Sequence, residues 1–203
     1  MRDAAGEAAA ALAALEAALR SHAHPAAALL RPGLDPAQVR SLVTPVGLAL
    51  PDAAVAVWAW HDGVESPGCE SPARAQLLPG GALLFRLDEA IRQYDTYRAI
   101  APDRDDWSPA WFPLARHFND SYWLDCSGPV DGPTPVQYRY TWEYSPPAAL
   151  AAQRVGSLPE AVAAWVGVLD SGAWAIDEAT DRYDWLREPE GLPRAFLGLD
   201  APS

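Results

Sequence analysis

The side chains that could do covalent chemistry meet in one stretch of the chain, residues 107–128. Cys126 directly follows Asp125, and His117 lies a few positions earlier. A thiol, an imidazole and a carboxylate are the groups of a nucleophile, its general base and an orienting acid. Asp125 and Cys126 are neighbours on an expected strand, so their side chains point to opposite faces. This spacing argues against a catalytic triad, and a small hydrolase that uses Cys126 is kept only as the alternative from another class.

Other reactive patterns are weaker still. His22 and His24 form an H-x-H pair that is more typical of a solvated helix end than of a metal site. Pro79-Gly80-Gly81 lacks the lysine and the following helix of a phosphate-binding loop. Two cysteines, Cys69 and Cys126, do not make a disulfide framework. The sequence therefore predicts no catalytic residue, no metal and no cofactor.

Composition and charge narrow the class of partner. The chain has 203 residues, half of them apolar, which is enough for one substantial core. A net charge of −12 argues against nucleic acid and against an anionic membrane surface. The chain also lacks a long apolar run and a basic, cleavable leader, so we expect a cytoplasmic protein. An acidic surface suits a basic protein partner, and it equally suits mere solubility.

Periodicity and capping signals predict a helical first half. Leu12, Leu15 and Leu19 lie at helical spacing within residues 3–20. Asp35-Pro36 predicts the start of a second helix, and Leu50-Pro51-Asp52 predicts a third over residues 53–60. His61-Asp62-Gly63 ends that third helix, with its glycine at positive φ. A strand over 82–87 and a helix that starts at the capping residue Asp88 and ends near residue 100 complete this half.

The second half is predicted to be mostly strands. Residues 111–116 and 122–126 indicate a hairpin near a sheet edge, with Cys126 pointing into the core. Residues 136–142 alternate between apolar and polar, so we expect one more strand. Ser157-Leu158-Pro159-Glu160 is a capping box that opens a closing helix. Residues 181–186 are predicted to form a short helix in an acidic tail.

Three motifs in this order carry a family resemblance. The first motif consists of Leu50-Pro51-Asp52 and Trp60-His61-Asp62-Gly63. The second consists of Trp111-Phe112-Pro113-Leu114-Ala115 followed by Ser121-Tyr122-Trp123-Leu124-Asp125, and the third is Val155-Gly156-Ser157-Leu158. Together they resemble the SMI1/KNR4 family, also called the SUKH superfamily, over about residues 30–175. The family usually carries glycines before the second strand of the hairpin, whereas this chain has Asn119-Asp120. Asparagine tolerates the left-handed conformation, so the hairpin is still expected.

The resemblance implies an α+β fold, with a mixed, mostly antiparallel sheet and helices packed on it in a single domain. It divides the chain into an N-terminal helix (1–24), the SMI1/KNR4-like domain (25–175) and an acidic C-terminal extension (176–203). Many bacterial relatives are immunity proteins that bind and neutralise a toxin, often a nuclease. The fungal namesake is instead a regulator of cell-wall assembly. The resemblance therefore implies a non-catalytic protein-binding domain, in the first place an immunity protein, with a regulatory adaptor of cell-wall or signalling machinery as the alternative.

The predicted partner-binding residues combine aromatic anchors with acidic side chains. Tryptophan is enriched at the energetic centres of interfaces, and carboxylates would attract a basic toxin domain. The competing interpretation is that each tryptophan is simply part of the hydrophobic core. For the acidic residues, it is that they lie on a solvated face and bind nothing. The predicted set is Trp60, Asp62, Asp103, Asp105, Asp106, Trp107, Trp111, Trp123 and Asp125.

Overall fold

The computed structural model describes residues 3–65, 76–78, 81–100, 107–117, 120–140, 153–177 and 182–187. The α-helices within these ranges are α1 (Ala4–Ser21), α2 (Pro36–Val43), α3 (Asp52–Trp60), α4 (Leu87–Ile100) and α5 (Leu158–Ser171), with 3₁₀ helices at Pro25–Ala28 and Thr44–Val46. The strands are β1 (Leu83–Leu84), β2 (Trp111–His117), β3 (Asp120–Asp125), β4 (Pro135–Tyr140), β5 (Gln153–Ser157), β6 (Trp174–Asp177) and β7 (Arg182–Trp185). The α+β class is confirmed.

The strands form a meander and a separate hairpin. The larger sheet has the order β1-β2-β3-β4-β5, and β6 pairs with β7. Every strand pair among the described residues is antiparallel. In the β2–β3 hairpin Trp111 lies opposite Asp125, Phe112 opposite Leu124 and Pro113 opposite Trp123, with an irregularity after Pro113. The hairpin is thus confirmed, and only the two-residue β1 separates β2 from the sheet edge.

Most of the helices cover one face of this sheet. On that face Phe112 meets Trp58 of α3 edge to face at 5.3 Å, and Tyr122 meets Trp165 of α5 at 5.5 Å. Helix α1 packs against both α3 and α5. Helix α4 differs, because its Tyr94 contacts Phe112 whereas its Tyr97 contacts Trp123, a residue of the opposite face. The core therefore lies between the sheet and the α1–α3–α5 layer, with α4 reaching both faces of the hairpin.

Helix starts follow local capping signals where the sequence offers them. The Asp35 carboxylate accepts hydrogen bonds from the backbone N–H groups of Ala37 and Gln38, with proline at the first helical position of α2. The capping box between Ser157 and Glu160 opens α5. Gly63, after α3, has φ +75. All three predictions are confirmed.

Other local predictions are wrong. The strand expected over 82–87 has only two residues, and α4 begins at Leu87, so Asp88 lies within its first turn. The cap comes from elsewhere, because the Leu87 N–H donates to Asp62 and the Arg86 N–H donates to Glu89. The segment expected to be a short helix after residue 181 is strand β7. Strand β5, which the sequence did not predict, extends the sheet beyond β4.

The expected division of the chain into residues 1–24, 25–175 and 176–203 stays a prediction. Leu12, Leu15 and Leu19 of α1 belong to the same buried cluster as the sheet residues. Strand β6 runs across the boundary between residues 175 and 176. Beyond it, β7 returns to pair with β6, and residues 188–203 of the acidic extension lie outside the described ranges.

Candidate partner-binding surfaces

The first candidate surface is the turn that ends α3, formed by Trp60, His61 and Asp62. Helix α3 stops here because His61 is already extended, with φ −149, and Gly63 takes the left-handed conformation. The turn is fixed to the chain after α1, since the Arg31 N–H donates to the Gly63 carbonyl at 3.1 Å. Its side chains are only partly buried, so the turn presents an aromatic and a polar surface.

The carboxylate of Glu16 in α1 orients this turn. It accepts a hydrogen bond from the Trp60 indole N–H at 3.1 Å and lies 3.3 Å from His61 Nε2. The Arg20 guanidinium, at 2.6 Å, is the main reason that the pKa of Glu16 is lowered from its ordinary value. His61 Nδ1 donates to the Arg31 carbonyl at 2.5 Å. The orientation of Trp60 is therefore set by a residue on a different helix.

Asp62 has a structural role in this turn. Its Oδ1 accepts from the Leu87 N–H at 2.8 Å at the start of α4, and its Oδ2 lies 3.7 Å from the Arg31 guanidinium. Its side chain is only 13% exposed, far less than that of Glu65, which is 67% exposed beside the same guanidinium. Asp62 thus ties α3 to α4, and Glu65 is the more accessible carboxylate of the pair.

We expect Asp62→Ala to lower the free energy of unfolding by about 1–2 kcal/mol, the usual effect of losing a helix-capping side chain. Asp62→Asn keeps an oxygen that can accept from the Leu87 N–H, so its loss should be smaller. Urea denaturation followed by circular dichroism measures both changes. Equal losses in the two variants would show that the charge, and not the cap, carries the effect.

The second candidate surface is the face of the β2–β3 hairpin that carries Trp111, Trp123 and Asp125. Trp123 is buried, with its indole N–H donating to Ser121 Oγ at 2.7 Å and its ring 4.7 Å from Tyr97. Trp111 is only partly buried and lies opposite Asp125 in the strand register. Asp125 accepts from the Ser127 N–H at 3.0 Å and from the Gln137 side chain at 3.4 Å. Trp111 and Asp125 are therefore the accessible pair of this face, whereas Trp123 is covered by Tyr97.

The remaining predicted residues precede this hairpin in the sequence. Trp107 is buried, with its ring 6.3 Å from both Tyr94 and Tyr97. It therefore belongs to the aromatic core between α4 and the sheet. Asp103, Asp105 and Asp106 lie outside the described residues.

The structure places the backbones of His117 and Cys126, which the alternative hydrolase would need close together, at different ends of the β2–β3 hairpin. His117 pairs with Asp120 at one end of the hairpin, whereas Cys126 follows Asp125 at the other end. At about 3.3 Å per residue these ends lie roughly 15–20 Å apart. The Cys126 thiol is buried 3.5 Å from the Leu124 carbonyl, and burial raises its pKa to about 12. Such a thiol is protonated at neutral pH and is a poor nucleophile.

The two histidines of the H-x-H pair are separated as well. His22 lies 2.9 Å from Asp170 at the end of α5, whereas His24 is buried with its Nδ1 accepting from the Ala26 N–H. Within the part of the chain that the structure describes, no three histidine, cysteine or carboxylate side chains form a group that could hold a metal ion. Among the helices described, none has both the length and the apolar composition needed to cross a membrane.

Sequence reasoning missed Glu16 and Arg31, which hold the α3 turn. Glu16 lies beside the apolar stripe of α1, next to Leu12 and Leu19 on the helix surface. An acidic residue at the border of a buried stripe is a signal for a tertiary hydrogen bond. Arg31 offered no such signal, because its contact depends on how the chain after α1 turns back.

In comparisons with known proteins, no family model and no curated protein matches the chain.

Proposed function

We propose that the chain is a non-catalytic protein-binding domain of the SMI1/KNR4 type. In this proposal it is an immunity protein of the cytoplasm that binds and neutralises a cognate toxin domain with a basic surface. The order of the motifs supports the family assignment: the first ends α3, the second forms the β2–β3 hairpin, and the third leads from β5 into α5. The alternative adaptor role would use the same surfaces with another partner.

One observation carries the binding role. Both partly exposed tryptophans of the predicted set stand beside a carboxylate, Trp60 beside Glu16 and Trp111 opposite Asp125. An arginine of a partner can stack its guanidinium on an indole ring and pair with a neighbouring carboxylate, which makes such a pair selective for basic partners. A carboxylate also has about four lone-pair sites, so Asp125 can accept further bonds beside those from Ser127 and Gln137.

The overall charge supports the same partner class. A chain with net charge −12 attracts a basic protein over a distance of about a Debye length, and this raises the association rate. If the toxin is a nuclease, carboxylates can occupy the groove that normally receives phosphates. An inhibitor of this kind needs no catalytic group, in agreement with the buried, protonated Cys126.

Co-purification from the native cell, followed by mass spectrometry, tests this proposal. A basic toxin domain that is encoded beside this reading frame and loses its toxicity when the two are expressed together would support immunity. Recovery of a cell-wall or signalling protein in its place would support the adaptor. Hydrolytic activity that disappears in Cys126→Ala, with the fold retained, would overturn the non-catalytic assignment.

With the toxin domain in hand, neutralising Asp103, Asp105 and Asp106 together by asparagine should slow association. We expect a roughly 3–10-fold lower association rate at low salt and a weaker dependence of that rate on salt concentration, because steering by charge is lost. Surface plasmon resonance at several salt concentrations measures both quantities.

The matched control removes three charges elsewhere. Glu7→Gln, Asp95→Asn and Asp131→Asn change the net charge equally, at exposed positions outside both candidate surfaces. The control variant should associate nearly as fast as the unmodified protein. If both triple variants are slowed equally, only the net charge matters, and if neither is slowed, the acidic run takes no part in the encounter.

A further inference from the structure

The chain makes a buried corner where α1 ends. Ala23 adopts φ +50, an uncommon value for a residue with a Cβ atom, and it turns the chain so that His24 points inward. His24 is only 2% exposed, and its Nδ1 accepts a hydrogen bond from the Ala26 N–H at 3.1 Å at the start of the Pro25–Ala28 helix. We call residues 22–26 the α1 corner.

The α1 corner is in contact with the β6–β7 hairpin and with the end of α5. The His24 ring lies 5.3 Å from the ring of Trp174, the first residue of β6, at an interplanar angle of 31°. His22 lies 2.9 Å from Asp170 on α5. The residues that directly follow β7 lie in the same region, because the Leu186 N–H donates to the Ala173 carbonyl and Arg187 donates to the Ser171 carbonyl.

We propose that the α1 corner is an acid-sensitive clasp: protonation of the buried His24 ring breaks its hydrogen bond with Ala26 and releases the corner together with the β6–β7 hairpin. This device is independent of the proposed binding role. It depends only on the position of a titratable ring between α1 and β6.

The chemistry of the ring explains the direction of the effect. A protonated Nδ1 carries a hydrogen and cannot accept from the Ala26 N–H, so two donors would face each other. Burial, with a smaller contribution from His22, lowers the pKa of His24 to about 4 from the ordinary value of 6.5. The open corner therefore binds a proton at a higher pH than the closed corner does, and the clasp weakens as the pH falls below about 6.5.

The charged groups around the corner do not offset this effect by themselves. Among the described residues, those next to the corner in the chain or bonded at its neighbours are Arg20 and His22 on α1, Asp170 on α5 and Arg187 after β7. Arg20 is paired with Glu16, and the Asp170 carboxylate is already bound to His22. Arg187 is bound to the Ser171 carbonyl. A cation over the Trp174 ring would recover part of the cost of protonation, which reduces the size of the response.

Amide hydrogen exchange followed by NMR tests the clasp on the unmodified chain. From about pH 7.5 to about pH 5, which stays above the isoelectric point of about 4.6, the protection factors of the β6 amides and of the Ala26 amide should fall roughly 25-fold. Those of the β2–β3 hairpin should fall much less. The His24 ring protons should keep their neutral-state chemical shifts over most of this range.

Two variants separate His24 from its neighbour. His24→Asn keeps an oxygen in the place of Nδ1 that can accept from the Ala26 N–H, and it should abolish the selective loss of protection. His22→Asn should retain that loss. The proposal would be overturned if the β6 amides lost protection to the same extent as the β2–β3 amides at every pH. It would also be overturned if the selective loss of protection at low pH persisted in His24→Asn. If His24→Asn does not fold, the comparison of the two hairpins in the unmodified chain decides alone.

Discussion

Trp58→Ala is expected to lower the free energy of unfolding by about 3–5 kcal/mol, the range found when a large aromatic side chain is removed from a core. Trp58 is completely buried in α3, its ring meets Phe112 edge to face at 5.3 Å, and its indole N–H donates to the Phe85 carbonyl at 3.1 Å. The substitution leaves a cavity between α3 and the sheet and an unpaired carbonyl. Since small domains are stable by about 5–15 kcal/mol, this loss is a large part of the total.

Two further variants divide this effect into its parts. Trp58→Phe keeps a ring against Phe112 but loses the N–H, so we expect a loss of about 1–3 kcal/mol. Trp60→Ala removes the partly exposed indole two residues further along α3, on a different side of the helix, and should cost less than Trp58→Ala. Guanidinium denaturation followed by far-ultraviolet circular dichroism is the suitable measurement, because tryptophan fluorescence changes with the mutation itself. A Trp58→Ala protein within about 1 kcal/mol of the unmodified chain would contradict this packing.

Gly63→Ala is the second substitution with a large expected effect, a loss of about 3 kcal/mol or more. Gly63 has φ +75, and a Cβ atom there would lie 2.6 Å from the Arg86 backbone nitrogen and 2.9 Å from its Cα. The left-handed conformation alone costs about 1–2 kcal/mol for a residue with a side chain. The clash adds to this cost, because the contacted atoms are backbone at the start of α4 and cannot turn away.

Gly47 is the matched control for this prediction. It has nearly the same backbone angle, φ +77, but a Cβ atom there would meet no heavy atom within 4 Å. Gly47→Ala should therefore lose only the conformational part, about 1–2 kcal/mol. Thermal and chemical denaturation of both variants under the same conditions give the difference. Equal losses would mean that the approach of Arg86 to Gly63 contributes nothing, and the close contact between α3 and α4 would have to be revised.

The elements that the sequence predicted correctly are those with a signal inside the element itself. Asp35 caps α2 within three residues, and Ser157 and Glu160 cap each other across one turn. The hairpin likewise has its pattern in adjacent residues. Elements that depend on distant partners were missed or misassigned. The cap of α4 comes from Asp62, 25 residues before Leu87. Asp88 is a residue type that often caps helices, but it lies inside the first turn of α4 and not before it.

The C-terminal hairpin shows the same limit. In the segment that forms β7, polar and aromatic residues alternate (Arg182, Tyr183, Asp184 and Trp185), which is the two-residue period of a strand. Four residues are too few, however, for this period to exclude a helix. Pairing with β6, with Trp174 opposite Trp185, decides in favour of a strand. Strand β5 contains a glycine and little apolar pattern, and it is a strand because β4 offers an edge to pair with.

The candidate surfaces were predictable in composition but not in arrangement. Of the predicted tryptophans, Trp60 and Trp111 are partly exposed, whereas Trp107 and Trp123 are buried. Side-chain alternation places Trp123 on a sheet face, but only the position of α4, with Tyr97 against that ring, shows that this face is covered there. Such coverage depends on the route of the chain between elements, which local patterns do not encode.

The hydrogen bond from Trp60 to Glu16 joins residues 44 positions apart in the chain. Substitutions in α1, a different helix from the one that carries this indole, can therefore alter which partners the indole binds. Related proteins with different sequences in α1 would then bind different partners, even where the turn after α3 has the same sequence.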